Sequence, residues 1–177
     1  MRNSRVNFNN LTIHKYPDPV LRQVARPVEE ITSEIVEVVE RMTDLMLESS
    51  GIGLAAPQVG MPLRIILMSA TGKRENLEVF VNPQLSGFEG ISEIEEGCLS
   101  LPGLRVKVRR PASCTVSALD LEGNNFVLDV VELPAIILQH ENDHLDGMLF
   151  IDRLNTVSRL VCRRTLKQME REYKEMA

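Results

Sequence analysis

No stretch of this 177-residue chain approaches the roughly 20 consecutive apolar residues that a membrane span requires. Its first ten residues, MRNSRVNFNN, lack the apolar core of a secretory signal, so a cytoplasmic location is expected. Cysteine is scarce. Cys98, Cys114 and Cys162 are odd in number and far apart, which argues against a disulfide framework and leaves thiols, ligands or core residues. A cationic surplus is missing too: the net charge of −5 gives no global footprint for nucleic acid, and no sequence-specific binding to it is expected. Repeats, linkers and low-complexity tracts are absent, so residues 1–177 read as one domain.

What is present is the composition of a globular protein, 44% apolar and 25% charged. Residues 11–30 are proline-rich, which disfavours a long helix and predicts an extended arm laid over the domain, with His14 as an ordinary surface residue. From Thr32 to Ser49, Ile35, Val38, Val39, Met42, Leu45 and Met46 recur at helical spacing, and Gly51 stands where it can end the helix. Short strands are expected at Arg64–Met68, Leu77–Val81, Ile91–Glu96, Leu104–Val108, Thr115–Leu121 and Phe126–Val131, the last two joined by a turn at Glu122-Gly123. The tail from Thr156 to Met176 is helical again, with Val157, Leu160, Val161, Met169, Tyr173 and Met176 as its apolar stripe. The expected class is α+β: antiparallel sheets packed around a central helix, with an N-terminal helix and a C-terminal helical extension over 156–177.

The central helix carries the chemistry. His140 and His144 lie four residues apart, which on a helix places both imidazoles on one face, and Glu141 falls directly beside them. This spacing supplies two metal ligands and a general base. Pro134 before it and Gly147 after it mark the helix ends. Ile136, Ile137 and Leu138 make the segment apolar all round, which predicts burial, and buried polar groups need partners.

A catalytic metal usually takes three protein ligands and keeps one position open. One metalloprotease class would place a third histidine where Phe150 stands, and the chain's only other histidine is His14. Glu170 or Glu172, in the charged C-terminal tail, could serve as in another protease class. Cys98, at the end of an expected strand, is the better candidate, because a thiolate is a strong ligand for zinc or ferrous iron.

Three segments taken together resemble the signature motifs of the peptide deformylase family: Gly51-Ile52-Gly53-Leu54-Ala55-Ala56-Pro57-Gln58, Glu96-Gly97-Cys98-Leu99-Ser100 and Gln139-His140-Glu141-Asn142-Asp143-His144-Leu145. Pro17-Asp18-Pro19-Val20-Leu21-Arg22 looks like that family's start, so the likeness spans nearly the whole chain. It implies removal of the N-formyl group from nascent peptides that begin with formylmethionine. It also implies a metal held by Cys98, His140 and His144, ferrous iron in the cell and zinc, nickel or cobalt in purified protein. Glu141 would move the proton. The Gln58 amide and the Leu99 N–H would face the developing oxyanion, and Gly53 would hold the first peptide unit.

Further residues follow from this frame. Ile52, Ile94, Leu133, Ile136 and Ile137 are the expected lining of a methionine pocket, with Gly97 on the peptide path and Arg105 meeting the peptide's backbone or carboxylate end. Asp143 needs a partner on a buried helix, and Arg110 is the candidate. Arg159, Arg163, Arg164, Lys167, Arg171 and Lys174 give the C-terminal helix a basic face suited to ribosomal RNA. Asn142, Asp146 and Leu133-Pro134 depart from the family's usual pattern and bear on packing and the pocket rim. The rival readings are a different metal hydrolase or protease, and an interaction domain that keeps the fold without activity.

Overall fold

The computed structural model describes residues 8–176. The first seven residues, part of the stretch read for a signal segment, and Ala177 lie outside the described residues. In chain order the elements are α1 (Ser33–Glu48), β1 (Gly53–Ala55), β2 (Ile65–Met68), β3 (Glu78–Glu89), β4 (Ser92–Cys98), β5 (Leu101–Arg110), β6 (Ser113–Leu119), β7 (Asn125–Val131), α2 (Glu132–Leu145) and α3 (Thr156–Met176). Five strands form an antiparallel sheet in the order β1-β2-β3-β6-β7, and β4 with β5 makes a separate antiparallel ribbon. This is the expected α+β class.

The sheet is covered on both faces. Ile65 and Leu67 of β2 pack with Met42 and Met46 of α1. Their neighbours Ile66 and Met68 pack with Ala135 and Leu138 of α2. Alternation along a pleated strand makes β2 buried on both sides, which is why it reads as an unbroken apolar run. A third cluster joins β5 to the arm and to α3 through Leu21, Leu101, Leu104, Leu149, Cys162 and Met169.

Both site-bearing boundaries are closed by the same device. After α1, Gly51 N–H donates to Met46 O (2.8 Å) and Ser50 N–H to Leu47 O (3.0 Å), with Ser50 in the left-handed region at φ 55°. Gly51 is therefore one residue past the left-handed position. It is a glycine because a Cβ there would stand 2.9 Å from Leu99 Cδ1 and 3.1 Å from Met46 O. After α2, Met148 N–H donates to Asp143 O (2.8 Å), Gly147 takes φ 69°, and a Cβ on it would meet Arg22 O at 2.6 Å.

Three expectations need correction. Strand β3 runs eight residues beyond Val81, because bulges at Val81/Gln84 and Ser86/Glu89 absorb Asn82-Pro83 and Gly87. The packed side of α3 is Cys162, Leu166 and Met169, with Tyr173 half-buried, whereas Val157, Leu160 and Val161 are exposed. Phe150, Ile151 and Leu154, buried in the segment that leads into α3, fix that rotation. His14 is half-buried rather than a plain surface residue, with Nδ1 2.7 Å from Asp18 Oδ2.

The arm ties the motif segments together. His14 N–H donates to Gln58 O (2.8 Å), Tyr16 N–H to Ser100 O (2.8 Å) and Ala25 N–H to Leu145 O (2.8 Å).

Candidate metal centre

Helix α2 supplies His140 and His144 one turn apart, their rings edge to face with centroids 5.2 Å apart. Cys98 comes from the far end of β4. The β4–β5 register breaks between Gly97 and Cys98, which re-aims the cysteine toward α2. The ligand atoms of Cys98, His140 and His144 all lie within 4.8 Å of one another, and Cys98 Sγ is 3.3 Å from His144 Nε2. His140 donates from Nδ1 to Glu96 Oε2 at 2.8 Å, which leaves its Nε2 for a cation. One thiolate and two imidazoles suit zinc, ferrous iron, cobalt or nickel, and lack the oxygen donors that magnesium or calcium would need.

The groups around the donors pull one another's protonation in opposite directions. Burial alone would push the His140 imidazole down, but hydrogen bonds to Cys98 and Glu96 outweigh it and hold it well above the usual range. Burial and the neighbouring His140 charge hold His144 well below it. Burial raises the Glu96 carboxyl, yet hydrogen bonds from His140 and Arg110 bring it below its ordinary value. Glu141 is fully desolvated, and burial pushes it up to about 7 against the pull of His140 and Arg110. Its Oε2 has no hydrogen-bond partner among the described residues.

Gln58 is held in one orientation. Its Oε1 accepts from Ala55 N–H (2.8 Å), and its Nε2 donates to Ser100 Oγ (3.1 Å) and stands 3.5 Å from Cys98 Sγ. The amide NH₂ therefore faces the sulfur. Gly53 lies in β1 against Glu141, where a Cβ would stand 2.4 Å from Glu141 Oε1 and 2.8 Å from Ile137 Cγ2. Only glycine lets that strand approach the carboxylate.

These residues open on a cavity of about 550 Å³, lined by Gly53, Gln58, Cys98, Leu99, His140 and Glu141. With the centre's geometry goes a family match. The family model described as polypeptide deformylase matches residues 10–160. The chain belongs to the peptide deformylase family. It is 45% identical over 161 residues to a peptide deformylase of Acidobacterium capsulatum, covering 90% of this chain and 95% of that one. It is similar in structure to a plant peptide deformylase at TM-score 0.92 and 36% identity, over 95% of this chain and 93% of the other. A Plasmodium falciparum peptide deformylase gives TM-score 0.90 at 39% identity, over 93% and 98% of the two chains.

In this deformylase-family chain the cavity also takes in Ile52, Ile94, Gly97, Arg105, Leu133, Ile136 and Ile137, so all the proposed lining residues share one space. Ile52 and Leu133 are partly exposed at 38% and 40%, which places them at the rim. A Cβ on Gly97 would meet nothing closer than 3.6 Å, so no protein atom crowds that backbone. Glu170 stands apart from the triad, accepting from Tyr16 Oη at 2.7 Å, and Glu172 is exposed and bonded by Gln168. Neither is among the clustered donors.

Asp143 and Arg110 meet as expected, Nη1 to Oδ2 at 2.9 Å, both buried. Sequence reasoning gave no role to four neighbours. Glu96 holds His140 and takes the Arg110 guanidinium at 2.6 and 3.0 Å. Ser100 anchors Gln58, and Arg153 bonds both carboxylate oxygens of Asp143. Phe150, at the position a third histidine would occupy, is buried and stacks on His140 with centroids 5.8 Å apart. Glu96 and Ser100 flank Cys98 within its own motif, which was the available signal.

Proposed function

We infer that this chain is a metal-dependent hydrolase that removes the N-formyl group from formylmethionine at the N-terminus of nascent polypeptides, releasing formate. The observation that carries the reading is a desolvated Glu141 carboxylate set beside the Cys98, His140 and His144 donors and against Gly53.

Cys98, His140 and His144 would hold a divalent cation, which would supply Lewis acidity with about one net positive charge after the thiolate and would lower the pKa of water toward ~7. Glu141 accepts the proton of the attacking water and then delivers it to the leaving amine. Burial raises its carboxyl to about 7, and a cation on the neighbouring donors would draw it down from there toward the ionised form that takes the proton. The Gln58 amide and the Leu99 N–H are the proposed donors to the developing oxyanion, each worth ~3–4 kcal/mol of barrier by analogy with such donors elsewhere. Gly53 and Gly97 line the peptide's path with backbone. Ile52, Ile94, Leu133, Ile136 and Ile137 receive the flexible methionine side chain, and Arg105 meets the peptide beyond it. Asp143 and Arg110 support the ligand helix.

Ferrous iron is the proposed cellular metal, with zinc, nickel or cobalt able to occupy the same donors. A cytoplasmic setting is proposed, with the basic residues of α3 contacting the ribosome. No helix among the described residues is long and apolar enough to cross a membrane.

The test is formate release from formyl-Met-Ala-Ser under anaerobic conditions with ferrous iron, for wild type and Glu141→Ala together. Release by wild type alone supports reaction and proton carrier. Silence from both, with metal bound, sinks the reading and returns attention to a protease or an inactive binding domain.

A further inference from the structure

Beyond the ligands lies a run of charges that ends at the surface. His140 Nδ1 bonds Glu96 Oε2, Glu96 takes the Arg110 guanidinium on both oxygens, and Arg110 Nη1 bonds Asp143 Oδ2. Asp143 is completed by Arg153, whose Nε lies 2.5 Å from Oδ2 and whose Nη2 reaches Oδ1. Glu96, Arg110 and Asp143 have side chains only 1–4% exposed, whereas the Arg153 side chain is 41% exposed. Arg153 is thus the one member that reaches solvent.

Charge balance makes that member consequential. Two carboxylates face two guanidinium groups, so the run is neutral only with Arg153 present. Remove it, and two buried carboxylates share one cation, a costly arrangement at low dielectric. Among the described residues, Arg110 is then the one side chain still bonded to the Asp143 carboxylate. Turning toward Asp143 loosens its paired bonds to Glu96, and Glu96 is what holds the His140 ring. Arg153 also belongs to the same short turn as Phe150, which stacks on the His140 face. One segment therefore holds the ring by its face and, through the charges, by its Nδ1.

We propose that Arg153 is a positioning residue for the metal centre, fixing the His140 ligand pose through Asp143, Arg110 and Glu96. The proposal rests on the reading of Cys98, His140 and His144 as metal ligands.

The test uses full-length protein loaded with Co(II) under anaerobic conditions, scored by chelator competition and by the visible spectrum of the bound ion. Arg153→Gln is expected to weaken Co(II) affinity about 10–100-fold and to shift the spectrum. Arg153→Lys, which restores the charge, is expected to recover most of both. Arg64→Ala serves as the control, because Arg64 bonds Asp146 and Asn142 near the end of the same helix without entering the run of charges. It is expected to leave affinity and spectrum at wild-type values. Wild-type affinity and spectrum in Arg153→Gln would overturn the proposal. So would an equal loss in Arg64→Ala, which would mean general loosening of α2. Failure of wild type itself to bind Co(II) would remove the metal reading first and the proposal with it.

Discussion

At the scale of the residue, Gly53 sets the tightest constraint in the groove. A Cβ there would stand 2.4 Å from Glu141 Oε1, far inside contact distance, so either the strand or the carboxylate must move. Gly53→Ala is expected to lower kcat/KM for a formylated peptide on the order of 100-fold, with metal content unchanged. Steady-state kinetics beside metal analysis checks this, and wild-type rates would contradict it. Asp152 offers a second test. Burial raises its carboxyl, but bonds from Arg22 and from Leu149 N–H bring it below its ordinary 3.8. Its folded-state pKa lies below the unfolded value, so its stabilisation is present above the unfolded pKa and fades as pH falls through the folded one. Urea midpoints for Asp152→Asn should therefore fall below wild type at pH 7 and converge with it as the medium becomes strongly acid.

At the scale of the element, legibility followed the strength of the local pattern. Helix α1 and the β6–β7 hairpin were readable because amphipathic spacing and a Gly-bearing turn are local signals. Strand β3 was readable only to Val81, because Asn82-Pro83 carries turn chemistry that a bulge accommodates through tertiary pairing with β6. Strand β1 is three residues long and too short to leave a period. The rotation of α3 was misread because Val157, Leu160 and Val161 have helical spacing of their own, while the face that packs is chosen by the segment leading in. This gives a direct check by chemical denaturation. Val161→Asp is expected to change stability by no more than about 0.5 kcal/mol, whereas Met169→Ala should cost on the order of 2–3 kcal/mol. The candidate site divides similarly: His140, His144, Glu141 and Cys98 were legible as residue types in motifs. In the Glu96–Arg110–Asp143–Arg153 run the centre was legible, Glu96 was signalled only by its place in the Cys98 motif, and Arg153 was not legible because no local pattern encodes the approach of its turn to Asp143.

At the scale of the whole molecule, the centre is a junction. Its donors come from the ribbon and from α2, and the arm bonds to all three motif segments through His14, Tyr16 and Ala25. A cation bound there adds a further link between elements already joined by packing and by the Glu96–His140 and Arg110–Asp143 bonds, and it favours the native state, in which the three donors are assembled. Stripping metal with a chelator is expected to lower Tm by about 5–10 °C if the ion is present near 100 times its Kd. Resupply should restore Tm, and Cys98→Ser should show no such shift. The backbone floor of the groove also bears on how inhibitors of this protein would age. A compound that takes its affinity from the chain at Gly53, Gly97 and Leu99 leans on backbone atoms that every substitution except proline retains, and beside Gly53 even one added carbon collides with Glu141. Affinity drawn from the rim at Ile52 or Leu133 rests on side chains that are partly solvent-facing and replaceable. Resistance under such a drug should therefore arise first at the rim, while floor-directed compounds force escape outside the protein.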